Sequence, residues 1–341
     1  MSATLVICGD LHYRGSNPRG RLDNFQEALD AKLREVFHVA RDKEATAIII
    51  PGDIFDSFNT SWSVVADLAS LLTEQPCPVL TVMGNHDIAG GNQETVRRTP
   101  YGLLARLGLI RDLQMEPYEF SPEYNLIITI TGHGYNTETD VDMGQFTPPP
   151  DDYPEIRFKI HVVHSMLLEK PPGFDMRHTL VRNVKTTADV IISGHYHLGF
   201  PEHPAMCVDR DDGVMFINPG ALCRLAATPA EMDRPIGVVL AEIFNTGIED
   251  KPGMTCQFIP LQSARPGYEV LSRDHLEAEQ EREERINRFL GLLAAEGEAK
   301  FLEIQEIIDD IAKREELPAA VVKEALNRIG RAREALGGRN T

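Results

Sequence analysis

Short runs of apolar, β-branched residues recur along the first two-thirds of the chain, each closed by Gly, Pro, Asn or Asp. Thr4–Cys8, Thr46–Ile50, Val79–Val82, Leu126–Thr131, Phe158–Val163, Val190–Ile192 and Val214–Ile217 are of this kind. They are too short for helices and predict buried strands. Between the early runs the period changes. Phe25, Leu29, Leu33 and Phe37 recur at spacing four, and Val64, Val65, Leu68, Leu71 and Leu72 line one face of a second segment. Both patterns predict amphipathic helices. Strands alternating with helices predict a layered α/β domain with short right-handed connections.

After Pro219 the pattern shifts. Gly237–Ile243 and Thr255–Leu261 predict a small β segment that ends near Arg265-Pro266. From Asp274 onward the pattern is helical. Asp274 and Glu277 have the spacing of a capping box. Phe301, Ile304, Ile308 and Ile311 form one stripe, and Pro318 opens a second helix carrying Val322, Leu326 and Ile329. The expected organisation is a catalytic domain over 1–233, a capping β segment over 234–270 and a helical hairpin over 271–341.

The chemistry sits at the strand ends. Gly9-Asp10-Leu11-His12, Gly52-Asp53-Ile54-Phe55-Asp56, Gly84-Asn85-His86-Asp87, the single His164, and Gly194-His195-Tyr196-His197 each follow directly on a predicted strand. In an open α/β sheet such positions converge on one crevice. Glycine before four of the five lets the chain turn so that the next side chain points inward. Carboxylates, an amide oxygen and imidazoles, without cysteine, suit paired divalent cations. Asp10 and His12 are two apart, as are His195 and His197, which on extended backbone puts each pair on one face. Asp53 offers the carboxylate that two cations ~3.5–4 Å apart would share. His161 would face away from His164, His133 could lie near the site, and Asp87 could brace its own loop.

Composition narrows the class. Of 341 residues 42% are hydrophobic and 25% charged, and no apolar run approaches the ~18 residues of a membrane span. Thr4–Cys8 runs straight into Gly9-Asp10, without the layout of a secretory signal. Five scattered cysteines without a C-x-x-C pair suggest reduced thiols and a cytoplasmic setting. The net charge is −18, and residues 271–341 hold 12 basic against 16 acidic groups, so most of the negative charge lies in the catalytic part. Such a field attracts divalent cations and repels nucleic acid in bulk.

G-D-x-H, G-D-x-x-D, G-N-H-D, a lone His and G-H-x-H, in that order, resemble the signature of the calcineurin-like metallophosphoesterases. The resemblance covers residues 4–220. It implies a four-layer α/β/β/α sandwich holding two metals, with manganese as the expected ion. Asp10, His12, Asp53 and His197 would hold the first, and Asp53, Asn85, His164 and His195 the second. It further implies a metal-bridging hydroxide as nucleophile, with His86 beside the departing oxygen and Asp56 orienting His86. After the last cluster, Asn218-Pro219-Gly220-Ala221, Arg234–Ile243, Phe258–Leu261 and Ala264-Arg265-Pro266-Gly267 resemble the small capping domain of the SbcD-type DNA repair nucleases, and the helical tail is similar in position to the segment by which such nucleases grip an ATPase partner. That implies an exo- or endonuclease, with DNA and an SMC-like coiled-coil ATPase as partners and a second copy of the chain as a further candidate. The alternative is a stand-alone phosphatase or phosphodiesterase on nucleotides or other small phosphoesters, favoured by the −18 charge and by the lack of any basic run.

Overall fold

The computed structural model describes residues 2–123, 126–150, 156–173, 175–246, 252–274, 308, 312 and 318–337. Among the described residues there are fourteen strands: β1 (Ala3–Ile7), β2 (Ala47–Ile50), β3 (Val79–Thr81), β4 (Arg111–Asp112), β5 (Tyr118–Glu123), β6 (Leu126–His133), β7 (Ile156–Ser165), β8 (Leu167–Leu168), β9 (Thr179–Leu180), β10 (Val190–His195), β11 (Cys207–Asp209), β12 (Met215–Ile217), β13 (Gly237–Asn245) and β14 (Pro252–Pro260). They form two six-stranded sheets, β14-β13-β1-β2-β3-β4 and β11-β12-β10-β7-β6-β5, and a small β8-β9 pair. β1, β2, β3 and β4 run parallel, as do β6, β7, β10 and β12, while the outer strands are antiparallel.

The continuous apolar runs are explained by burial on both faces. On β1, Leu5 and Ile7 point between the sheets, while Val6 and Cys8 point toward the helices. β2 divides in the same way, Ala47 and Ile49 against Ile48 and Ile50. Val190 and Ile192 join the inter-sheet core, whereas Ile191 packs outside the second sheet with Phe146, Phe200 and Phe216. Each such side chain contributes ~1.5–3 kcal/mol on burial.

Six α-helices complete the described part: α1 (Phe25–Asp42), α2 (Trp62–Leu72), α3 (Pro100–Arg106), α4 (Pro229–Asp233), α5 (Gly267–Val270) and α6 (Ala319–Gly337). α1 begins because Asn24 accepts from the Glu27 N–H, and it buries Phe25, Leu29, Leu33, Val36 and Phe37. Together with α2 it covers the first sheet. The outer layer of the second sheet is made differently. Two 3-10 turns, Met143–Phe146 and Val181–Asn183, and the segments around them supply Phe146, Val181, Val184 and Phe200.

The 234–270 segment, expected as a small cap, is built into the first sheet. β13 pairs antiparallel with β1 from Ala3↔Ile243 to Ile7↔Val239, and β14 pairs with β13. β1 would otherwise be an open edge with buried apolar faces, so the hairpin extends the sheet instead of standing apart.

The chain divides into two compact units, Met1–Arg273 and Asp274–Thr341. In the second unit α6 follows Pro318, whose carbonyl accepts from the Val321 N–H. The stripe Phe301/Ile304/Ile311 and most of the capping box lie outside the described residues; Ile308 is helical. Among the described residues no helix is long and apolar enough to cross a membrane.

Lys32 of α1 is almost wholly buried and donates from Nζ to the Leu222 carbonyl at 2.6 Å. Burial, with the guanidinium groups of Arg21, Arg224 and Arg234 adding to it, pulls its ammonium down to about 7. The unfolded chain therefore holds a proton between pH 7 and the ordinary lysine range that the folded chain sheds, and stability should rise with pH across that window. At about 1.4 kcal/mol per pKa unit, the rise from pH 7 to 9.5 should be on the order of 2–3 kcal/mol. Lys32→Met gives up the Leu222 bond at every pH, so the slopes are what differ. Urea midpoints at the two pH values should show a smaller rise for the variant; equal slopes would mean Lys32 does not titrate there.

Candidate metal centre

The parallel strands of both sheets deliver their carboxyl ends to one place. β1 leads to Asp10 and His12, β2 to Asp53 and Asp56, β3 to Asn85 and His86; β7 carries His164 and β10 carries His195. β7 and β10 lie side by side, with His164 opposite Gly194. The chain does not stay extended beyond the strands. His12, Asp53 and His195 take positive φ of 46°, 49° and 75°. Left-handed backbone at three non-glycine residues is a strained choice that clusters at functional sites. It also corrects the expectation of extended pairs: His195 and His197 diverge to opposite halves of the centre because the turn at His195 separates them. The glycines act mainly by leaving room. A Cβ on Gly84 would come within 2.0 Å of Asp53 Oδ1, and one on Gly194 within 2.4 Å of Asp10 Oδ1.

Three groups of possible ligands result, one of them His12, Asp56 and His86. Asp10, His12 and His197 place ligand atoms within 4.8 Å of one another, and so do Asp53, His164 and His195. His12 Nε2 lies 2.9 Å from His197 Nε2, and His197 Nε2 lies 3.7 Å from Asp10 Oδ2. His164 Nε2 stands 3.0 Å from Asn85 Oδ1. Asp53 joins the groups: its Oδ2 is 3.4 Å from His12 Nε2 and 3.3 Å from His164 Nε2. All seven expected ligands therefore meet.

These atoms fit cations better than they fit one another. Asp10 Oδ1 and Asp53 Oδ2 are buried without a hydrogen-bond partner. Leaving such acceptors unpaired costs several kcal/mol unless a positive ion meets them. The protons report the same demand. Burial alone would lower the His164 imidazole, but Asp53 beside it raises it to about 10. Burial pushes the Asp53 carboxyl up, yet His164 and His12 hold it well below the ordinary range. Burial raises the Asp10 carboxyl in spite of His164. His195 and His197 are both held down to about 3, chiefly by burial, and so present neutral lone pairs at neutral pH.

Hydrogen bonds outside the ligand groups fix their orientation. His164 Nδ1 donates to the Pro51 carbonyl at 2.7 Å, which directs Nε2 at the centre. The His195 N–H donates to Asp10 Oδ2, and the His86 N–H to Asp53 Oδ1, both at 2.9 Å. Asp87 accepts from the N–H groups of Gly84, Ile54 and Phe55, bracing two loops at once. Asn218 holds the last turn, donating to the Tyr196 carbonyl and accepting from the Gly220 N–H.

Asp56 departs from expectation. The link to His86 is present but runs through the main chain, because His86 Nδ1 donates to the Asp56 carbonyl at 2.7 Å. The carboxylate faces elsewhere, with Oδ1 3.5 Å from His12 Nδ1 and Oδ2 2.9 Å from Arg14 Nη1. The turn Asp53–Asp56 brings the carbonyl, not the side chain, over the His86 loop.

His161 points into the outer core, between the Thr131 hydroxyl and the Gln145 carbonyl. His133 contacts Asn136 and belongs to none of the ligand groups. Nearby Tyr135 is one residue the sequence did not single out. Its ring centre lies 5.9 Å from that of His195 and 6.2 Å from that of His164. His38 and His203 pair with Asp42 and Glu169; His178 donates to the Met176 carbonyl. His275 lies outside the described residues.

Residues 3–199 match the Calcineurin-like phosphoesterase family. The chain belongs to that family. The match spans all five clusters, whose side chains include candidate metal-ligand groups. Among solved structures, an archaeal phosphodiesterase shares 15% identity over 74% of this chain and 99% of its own, with a TM-score of 0.32. A dimetal phosphatase from Danio rerio shares 14% identity over 77% and 99%, at 0.44. A putative 5'-nucleotidase from Staphylococcus aureus shares 12% over 76% of this chain and 54% of its own, also at 0.44. Likenesses this distant do not bear on the substrate. No curated protein matches the chain.

Proposed function

We propose that this member of the family is a two-metal phosphodiesterase acting on small phosphoesters, with manganese as the expected ion. The observation that carries the hydrolytic reading is the unpartnered Asp53 Oδ2, standing within 3.4 Å of one imidazole from each ligand group. Asp10, His12, Asp53 and His197 would hold one ion, and Asp53, Asn85, His164 and His195 the other. When bound, the pair would supply Lewis acidity at phosphorus and a water acidic enough to act near neutral pH. The chain's own part is arrangement and proton handling. Burial keeps His195 and His197 unprotonated and ready to ligate, and the Pro51 carbonyl fixes the His164 tautomer. His86, its Nδ1–H tied to the Asp56 carbonyl, keeps Nε2 as the atom that gives or takes a proton.

The test is hydrolysis of bis-p-nitrophenyl phosphate before and after chelation. Activity should vanish with EDTA and return with Mn2+. Undiminished activity in EDTA, or none with Mn2+, Mg2+, Zn2+ or Co2+, would sink the reading.

A second reading, a DNA nuclease subunit working with an SMC-like ATPase, is favoured by the tail. α6 is a nineteen-residue helix in a unit of its own, with Val321 49% exposed, and helices of this kind dock into partner grooves. Deleting residues 296–341 should change small-diester hydrolysis less than about twofold. On the nuclease reading it should also abolish capture of a coiled-coil ATPase and ATP-stimulated DNA cleavage. An intact protein that ignores DNA whatever the ATPase leaves the small-substrate reading alone.

A further inference from the structure

Residues 220–223 lie against the Asp10, His12 and His197 group and are tied to it through the main chain. The Ala221 N–H donates to the His197 carbonyl and the Leu222 N–H to the Asp10 carbonyl, both at 2.9 Å. The neighbouring contact is close as well, since a Cβ on Gly9 would come within 1.9 Å of the Gly220 carbonyl oxygen. Two loops far apart in the sequence, each bringing a ligand to the same ion, are thereby held by one strip of backbone.

That strip is buried, with Ala221, Leu222 and Cys223 at 2%, 0% and 1% exposure. Its carbonyls therefore need partners inside the protein. All three receive buried basic side chains. Arg234 gives Nη1 to the Ala221 carbonyl and Nη2 to the Cys223 carbonyl, each at 2.7 Å, and Lys32 gives Nζ to the Leu222 carbonyl. Arg234 is itself buried, and its Nη2 also meets Glu231 Oε2 at 3.0 Å. Arg224 fixes the place of that pair, donating to the main-chain carbonyls of Glu231 and Arg234 at 2.7 and 2.6 Å.

The two basic residues differ in what lies at the far end of the peptide they hold. The Ala221 carbonyl and the Leu222 N–H belong to one planar peptide unit. A guanidinium on its oxygen aims its hydrogen at Asp10, and a charged donor at one end strengthens the bond at the other. The Leu222 carbonyl, which Lys32 holds, belongs to the next unit. The N–H of that unit is on Cys223, and among the described residues no hydrogen bond ties it to either ligand loop.

We propose that Arg234 is a positioning residue for the ion of the Asp10, His12 and His197 group, holding the 221–222 peptide so that Asp10 and His197 stay together on one cation. The inference rests on the two-metal reading and gives one half of the centre an outer support of its own. The other half has different anchors, because His164 rests on the Pro51 carbonyl and the 84–87 loop on Asp87. Without the guanidinium the Ala221 and Cys223 carbonyls are left buried and unpaired. A peptide that turns to escape takes its N–H away from Asp10.

The test is the affinity of each ion, read by titration with Mn2+ while electron paramagnetic resonance follows the free ion. The wild type should bind two ions. Arg234→Met should weaken one of them about tenfold or more, the usual cost of losing a support behind a ligand, and leave the other unchanged. Ligand variants show which ion it is. Added to His197→Ala, which disables the first group, Arg234→Met should change the remaining ion by less than about twofold. Added to His164→Ala, which disables the second, it should still cost about tenfold. Lys32→Met is the control for a merely structural role: it removes a basic partner from the same segment, and whatever it does to the melting temperature it should keep both affinities. Arg234→Lys retains the buried charge and with it the fold, but one nitrogen cannot span two carbonyls, so its first ion should weaken about threefold or more. Unchanged affinity in either Arg234 variant, equal weakening of both ions, or the same selective loss in Lys32→Met would overturn the proposal. A wild type that binds no metal would instead strike the two-metal reading.

Discussion

Asp53→Ala is expected to remove both metal ions and to cut diester hydrolysis by at least roughly 10⁴-fold, since a metal pair supplies several kcal/mol of transition-state stabilisation and each 1.4 kcal/mol is tenfold. The size follows from position. One oxygen, Oδ2, faces an imidazole of each ligand group, at 3.4 Å and 3.3 Å, so both halves of the centre lose a ligand at once. The other oxygen receives the His86 N–H, so alanine also frees the loop that carries Asn85 and His86. The fold should survive. Without the carboxylate, burial favours a neutral His164, which then sheds the proton that Asp53 holds on it. Asp53→Asn separates the two effects: an amide oxygen can still accept from His86, but it brings no charge to two cations. Metal analysis should find both variants depleted, with circular dichroism unchanged. Two equivalents retained in Asp53→Ala would remove Asp53 from the role of shared ligand.

What the sequence made legible follows from burial. Thr4–Cys8, Thr46–Ile50 and Val190–Ile192 are visible as apolar runs because alternate residues enter two different cores. Strands at a sheet border do not have that property. β5 and β11 each have one partner strand and mixed burial, and their sequences, YEFSPE and CVD, carry no continuous apolar signal. α3 is seven residues long and is fixed by its cap, Thr99 accepting from the Gly102 N–H, more than by a stripe. β13 and β14 were visible as strands, but not as the border of the first sheet, because pairing across some 230 residues leaves no local mark.

The same division holds at the centre. Ligands are legible because metal chemistry restricts their types and strand ends restrict their places. Asp56 illustrates the limit: the pattern marks the residue, yet its carbonyl serves His86 while its carboxylate turns to His12 and Arg14. Tyr135 and Arg14 escape because a lone tyrosine or arginine in a loop looks like any other. Only the convergence of loops separated by dozens of residues gives them neighbours. Arg14 did carry one faint signal, lying two residues beyond His12 as His12 lies two beyond Asp10.

His86→Gln should keep both metals and lose roughly 10²–10⁴-fold in kcat, the usual weight of a proton-transferring residue. His86 is held at two points that leave Nε2 unclaimed: its backbone N–H donates to Asp53 Oδ1, and the ring Nδ1–H donates to the Asp56 carbonyl at 2.7 Å. Its ring stands edge-on to that of His12, with centres 4.7 Å apart; it shares a candidate ligand group with His12 and Asp56 but neither of the two that Asp53 links. A proton donor matters most when the departing group is a strong base. Alkoxide leaves poorly without a proton, while p-nitrophenolate leaves readily without one. The loss in His86→Gln should therefore be much greater for an alkyl leaving group than for p-nitrophenolate. A residue that merely supports the 84–87 loop would cost both substrates alike. Equal losses would thus reduce His86 to a positioning role, and a fall in metal content would place it among the ligands.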